Sequence, residues 1–147
     1  LLCYTVFACT ARHGGGEIVP LRLAYGTASV PVRALRDTGC TLCDPVTGER
    51  ALVAEAGALQ ALLPEEAIRA AELRDPAALM LRLHAKDPQL PLRLFSYRSV
   101  GTQAGLLLAL RCETVTAEGR RRSCLTAFSP TPVSDGGNYD ALTGGDG

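Results

Sequence analysis

Between Glu17 and Arg36 the sequence passes through two apolar–polar alternations separated by a glycine, a pattern best buried as a β-hairpin. Ile18, Leu21, Leu23 and Tyr25 are among the apolar positions of the first run, and Val30, Val32 and Ala34 form a period-two second run. Gly26 lies between them, where a residue that tolerates positive φ closes a turn without steric cost. Pro20 and Pro31 each remove a ladder donor, which predicts edge or irregular pairing around them. The second run ends at Asp37.

Further strands follow from the same alternation. A turn at Asp44-Pro45-Val46-Thr47-Gly48 leads into a short strand over residues 51–54. Residues 56–74 are rich in Ala, Leu and Glu, and Pro64 divides them into two short helices. Residues 75–84 read as a further helix or an irregular excursion. Strands return over 92–96, 106–110, 114–116 and 124–128, with Glu118-Gly119 as a hairpin turn. Residues 1–11 read as a strand or as the tail of an upstream membrane helix, and the Gly- and Asp-rich stretch after Pro130 is expected to fray. The predicted class is mainly β, a β-rich α+β fold with a helical insertion at about residues 55–85. Residues 1–16 form a juxtamembrane linker or N-terminal strand, 17–142 one domain and 143–147 a frayed tail.

With 47% hydrophobic and 20% charged residues the chain is globular, and its formal net charge of +0 offers no basic field for nucleic acid. No uncharged stretch reaches the ~18 apolar residues of a spanning helix. The chain begins at Leu1 rather than Met, so it reads as part of something longer. Cys3, Cys9, Cys40, Cys43, Cys112 and Cys124 show no regular framework. Cys40-Thr41-Leu42-Cys43 is a lone C-x-x-C without a second pair or nearby histidine, so all six cysteines are read as reduced thiols and no metal site is assigned.

Three segments could carry chemistry. His13-Gly14-Gly15-Gly16 has the composition of an oxyanion loop, but the chain lacks the G-x-S-x-G nucleophile such a loop serves, so a linker is the better reading. Arg120-Arg121-Arg122 beside a turn reads as a solvated hairpin tip. Asp37-Thr38-Gly39 offers a carboxylate, a neighbouring hydroxyl and a glycine that permits close backbone approach, an arrangement suited to a catalytic aspartate facing its twin.

The flanks of that tripeptide are informative. Asp37-Thr38-Gly39-Cys40-Thr41-Leu42-Cys43-Asp44-Pro45-Val46-Thr47-Gly48 resembles the loop of the sporulation sigma-E factor processing peptidase family, Asp-Ser/Thr-Gly-Asn-x-Leu-x-Asp-Pro-x-Thr-Gly. The resemblance continues at Ser96-Tyr97-Arg98-Ser99-Val100-Gly101, Gly105-Leu106-Leu107, Ala127-Phe128-Ser129-Pro130 and Tyr139-Asp140-Ala141-Leu142. Cys40 stands where the family has Asn, Arg50 and Ser96 where it has Pro.

The resemblance implies a retropepsin-like acid-protease half-barrel and an aspartic endopeptidase that matures pro-sigma-E during sporulation. It implies a domain on the cytosolic face of the mother-cell membrane, tethered by an N-terminal membrane region absent from this chain. A secreted forespore signalling protein would act through that region. No second Asp-Thr/Ser-Gly occurs, and Ser134-Asp135-Gly136 has the wrong order, so a catalytic pair needs a second copy of the chain. On this reading Asp37 is catalytic and Thr38 and Gly39 support the loop. Tyr97, Arg98 and Ser99 are candidates for substrate or flap contact, and no cofactor is needed. The flap comes from the helical insertion or from the strand around 92–98. The competing expectation is a non-catalytic juxtamembrane module that binds a sigma factor.

Overall fold

A computed structural model describes residues 4–6, 16–36, 42–44, 46–98, 104–134 and 136–143. The predicted hairpin is present as β2 (Glu17–Tyr25) and β3 (Ala28–Arg36), paired antiparallel from Glu17 opposite Arg36 to Tyr25 opposite Ala28. Gly26 closes the turn at φ 60°, a conformation that favours glycine.

The remaining strands are β1 (Tyr4–Val6), β4 (Ala51–Glu55), β5 (Leu92–Arg98), β6 (Ala104–Thr116), β7 (Arg121–Ser129) and β8 (Ala141–Thr143). Six of them form a ring in the order β6-β2-β3-β8-β4-β7, closed by pairing of β7 back onto β6; β5 and then β1 extend the sheet beyond β6. The mainly β class and the helical insertion therefore follow the sequence, and the barrel is a closed one.

The two prolines fit this ring for a local reason. β2 and β3 each have neighbours on both sides, so neither is an edge strand throughout. Yet β6 pairs with β2 only at Leu21–Ala24, and β8 pairs with β3 only at Ala34–Arg36. Pro20 and Pro31 fall outside those stretches, where each strand is locally an edge and a missing donor is tolerated.

Burial on both faces explains the continuous apolar runs. Ala51, Leu52, Val53 and Ala54 of β4 are all buried. Ala51 and Val53 join a cluster with Phe95, Leu107, Leu125 and Leu142, whereas Leu52 and Ala54 join one with Leu23, Leu108, Phe128 and the helices. A strand covered on both sides loses the period-two signal and reads as unbroken hydrophobicity.

The insertion comprises α1 (Ala56–Leu62), 3-10 turns at Pro64–Glu66 and Ala70–Arg74, and α2 (Pro76–Lys86). Pro64 lacks an N–H and ends the α-helical path, but the second short helix expected after it is instead two separate 3-10 turns. α2 resolves the open reading of residues 75–84 in favour of helix: Asp75 accepts from the Ala78 N–H at 3.3 Å, and Pro76 takes the first helical position. Leu79 and Leu83, one turn apart, enter the core with Leu59, Leu62 and Leu73. Each fully buried leucine contributes roughly 1.5–3 kcal/mol, so the insertion is a packed layer rather than an appendage.

Two expectations are corrected. The strands predicted at 106–110 and 114–116 are one strand, because Arg111, Cys112 and Glu113 stay in register with β7 despite their polarity. The stretch after Pro130 does not fray in its described part: Tyr139, Ala141 and Leu142 are buried, and β8 lies inside the ring. No helix among the described residues is long and apolar enough to cross a membrane.

Candidate functional site

β3 and β4 are consecutive in the chain but do not pair with each other. β8 lies between them, parallel to β3 (Arg36 beside Thr143) and antiparallel to β4 (Val53 opposite Leu142). The chain that leaves β3 at Arg36 therefore returns as β4 on the far side of β8. Asp140 locks this crossing. Its Oδ1 accepts from the Arg33 N–H at 2.7 Å and its own N–H donates to the Arg33 carbonyl at 2.9 Å. Its carbonyl accepts from Glu55 N–H at 3.3 Å, so one residue ties β3 and β4 to the start of β8.

Asp37, Thr38 and Gly39 follow β3 directly in sequence and lie outside the described residues, as do Cys40, Ser99 and the His13-Gly14-Gly15 segment. The described part of the β3–β4 connection is a small hairpin. Leu42, 1% exposed, is anchored among Phe95 and Leu107, and its carbonyl accepts from Ala51 N–H at 2.7 Å. Cys43 bridges to Arg50, Asp44 N–H donates to the Glu49 carbonyl at 2.7 Å, and Gly48 N–H donates to the Asp44 carbonyl at 2.8 Å. Gly48 is at φ 76°, which a side chain would strain.

Asp44 is more than a turn residue. Its side chain is 1% exposed; Oδ1 accepts from Val46 N–H at 2.9 Å, and Oδ2 lies 2.9 Å from Nη1 of Arg93 on β5. That second contact is a charge pairing rather than an aligned hydrogen bond. Glu49 is held by Arg111 of β6 through a fork, Nη2 to Oε1 at 2.6 Å and Nη1 to Oε2 at 3.2 Å; Arg111 Nη1 also donates to Ser123 Oγ of β7 at 2.9 Å. The Glu49 carboxylate raises the Arg111 pKa above its ordinary value, chiefly through this hydrogen bonding.

Of the flap candidates, Tyr97 and Arg98 fall on β5 of the β5–β6 hairpin. Tyr97 is half-buried opposite Gly105, and Arg98 pairs with Ala104 along the backbone. A methyl group on Gly105 would come within 2.8 Å of the Tyr97 ring, so the glycine is required by close approach across the strands. Of the arginine run, Arg121 pairs with Glu113 at 2.9 Å, and Gly119 makes the preceding turn at φ 89°. A cavity of about 790 Å³ opens beside the end of β3, lined among others by Arg36, Thr143, Glu17, Glu49, Arg50 and Arg122.

Sequence reasoning missed Asp44, Glu49, Arg93 and Arg111 as a connected set. Asp44 stood in a turn motif and Arg93 in an alternation, each explained locally. Their pairing spans about fifty residues, and no short-range signal records it.

The fold defines the class: a small closed β-barrel domain in which β8 is inserted between the consecutive strands β3 and β4. The chain belongs to the Peptidase_U4 family, sporulation factor SpoIIGA, whose model matches residues 7–145. It is similar to the sporulation sigma-E factor-processing peptidase of Bacillus subtilis (strain 168), at 27% identity over 132 residues, covering 86% of this chain and 43% of that protein. The chain thus spans less than half the length of that relative. No solved structure matches it.

Proposed function

We propose that this domain is one half of an aspartic endopeptidase, retropepsin-like in fold, in which two copies each contribute Asp37 to a shared site and mature pro-sigma-E. The observation that carries the reading is the single Asp37-Thr38-Gly39 directly after β3 in sequence, where β8 is threaded between β3 and β4. Family membership and the single Asp-Thr-Gly support it.

Two carboxylates ~3 Å apart repel by about 5 kcal/mol at an effective dielectric of ~20, so they share one proton over a wide pH range. The ionised member takes a proton from a bound water, which attacks the scissile carbonyl; the protonated member donates to the carbonyl oxygen. Thr38 holds the two loops together and Gly39 leaves room beside the water. The substrate lies extended and pairs by strand addition.

The β5–β6 hairpin, which carries Tyr97 and Arg98 and is followed in sequence by Ser99, is the cover in this reading. The helical insertion is unsuited to that role because Leu59 and Leu83 are fully buried in the core. A membrane region outside this chain tethers the domain to the cytosolic face of the mother-cell membrane and carries the response to a forespore signal.

Asp37→Asn tests the assignment. The amide keeps shape and hydrogen bonding but cannot ionise, so cleavage of pro-sigma-E should fall at least ~10²-fold with folding intact. Near wild-type processing by this variant would end the assignment.

A further inference from the structure

We propose that Arg93 and Arg111 are positioning residues for the segment that follows Asp37, each reaching from one strand of the β5–β6 hairpin to a carboxylate on it. The proposal rests on the reading of Asp37 given above. Asp44 Oδ1 is already taken by the Val46 N–H, and Oδ2 is buried with Arg93 as the charge beside it. A carboxylate 1% exposed without a compensating cation is strongly disfavoured, so the segment keeps this orientation only while Arg93 is in reach.

The second pair fixes what the first leaves free. One ion pair allows the small hairpin to pivot about its contact. Glu49 lies across that hairpin from Asp44, and the Arg111 fork grips it in a defined plane while Ser123 anchors the guanidinium to β7. Leu42, seated in the core five positions beyond Asp37, supplies a third point. Three points define an orientation.

Arg93→Gln, Arg93→Lys, Arg111→Gln, Asp44→Asn and the Arg93→Gln/Asp44→Asn double variant, made in the complete protein and assayed on pro-sigma-E, test this. Folding and dimerisation are measured alongside. Misplacing reacting groups by about an ångström costs up to ~10²-fold. A folded Arg93→Gln should therefore lose roughly ten- to a hundredfold in kcat, with KM within about threefold. Arg93→Lys should recover part of that loss, and the double variant should be no worse than the poorer single one. If Arg93→Gln fails to fold, Arg111→Gln carries the same test, because the Arg111–Glu49 pair is about one-third exposed. Folded variants with kcat within twofold of wild type, or losses that multiply in the double variant, would overturn the proposal. Asp37→Asn runs as the control: if it stays active, the reading of Asp37 falls and takes this proposal with it. If it is inactive while the arginine variants are normal, only the positioning role falls.

Discussion

Cys112 and Cys124 face each other across β6 and β7, and both sulfurs approach the buried Thr126 hydroxyl, at 3.3 Å and 3.9 Å. Burial pushes the Cys112 thiol up to about 11 and raises Cys124 as well, the Thr126 contact offsetting part of the effect. Such thiols stay protonated and unreactive near neutral pH. The sign of the linkage follows. The unfolded chain releases the Cys112 proton near its ordinary value of 9.0, whereas the folded chain holds it until about 11. The stability this thiol contributes is complete below that ordinary value and is lost as pH rises through the folded one, by up to roughly 3 kcal/mol. Denaturant midpoints measured from pH 8 to 11 should fall more steeply for wild type than for Cys112→Ala; equal slopes would show that the folded thiol titrates normally.

Among the elements, the β5–β6 hairpin carries a sharp requirement at Gly105. A β-carbon there meets the Tyr97 ring at 2.8 Å, so Gly105→Ala must displace an aromatic side chain or part the strands, at a cost of about 1–3 kcal/mol. Thermal unfolding should show this loss, and Gly105→Ala combined with Tyr97→Ala should lose less than the two single changes summed, since the clash is gone. The sequence disclosed the β2–β3 hairpin because its pairing is local: nine residues, a glycine turn, nine residues. It disclosed α2 only ambiguously, since the cap at Asp75 and the Leu79–Leu83 stripe are short. β8 was hidden. Three residues, Ala141-Leu142-Thr143, behind a stretch rich in Gly and Asp give no periodicity, and the strand exists only because β3, about a hundred residues earlier, and β4 flank it. The Asp44–Arg93 and Glu49–Arg111 pairs were hidden for the same reason. Membership of the family was legible through the motif flanking Asp37, because that signal is written locally.

At the scale of the whole molecule, the ring β6-β2-β3-β8-β4-β7 makes one barrel among the described residues, and the sequence holds a single Asp-Thr-Gly. On the function proposed above, catalysis needs two such barrels sharing a site. Mixing wild-type and Asp37→Asn subunits tests this most directly. With equal amounts and free exchange, random pairing leaves about a quarter of dimers with two aspartates. Processing of pro-sigma-E by the equal mixture, at fixed total protein, should fall to about a quarter of the wild-type rate. Retention of half the rate would contradict the shared site, because it is the result expected when each chain works alone.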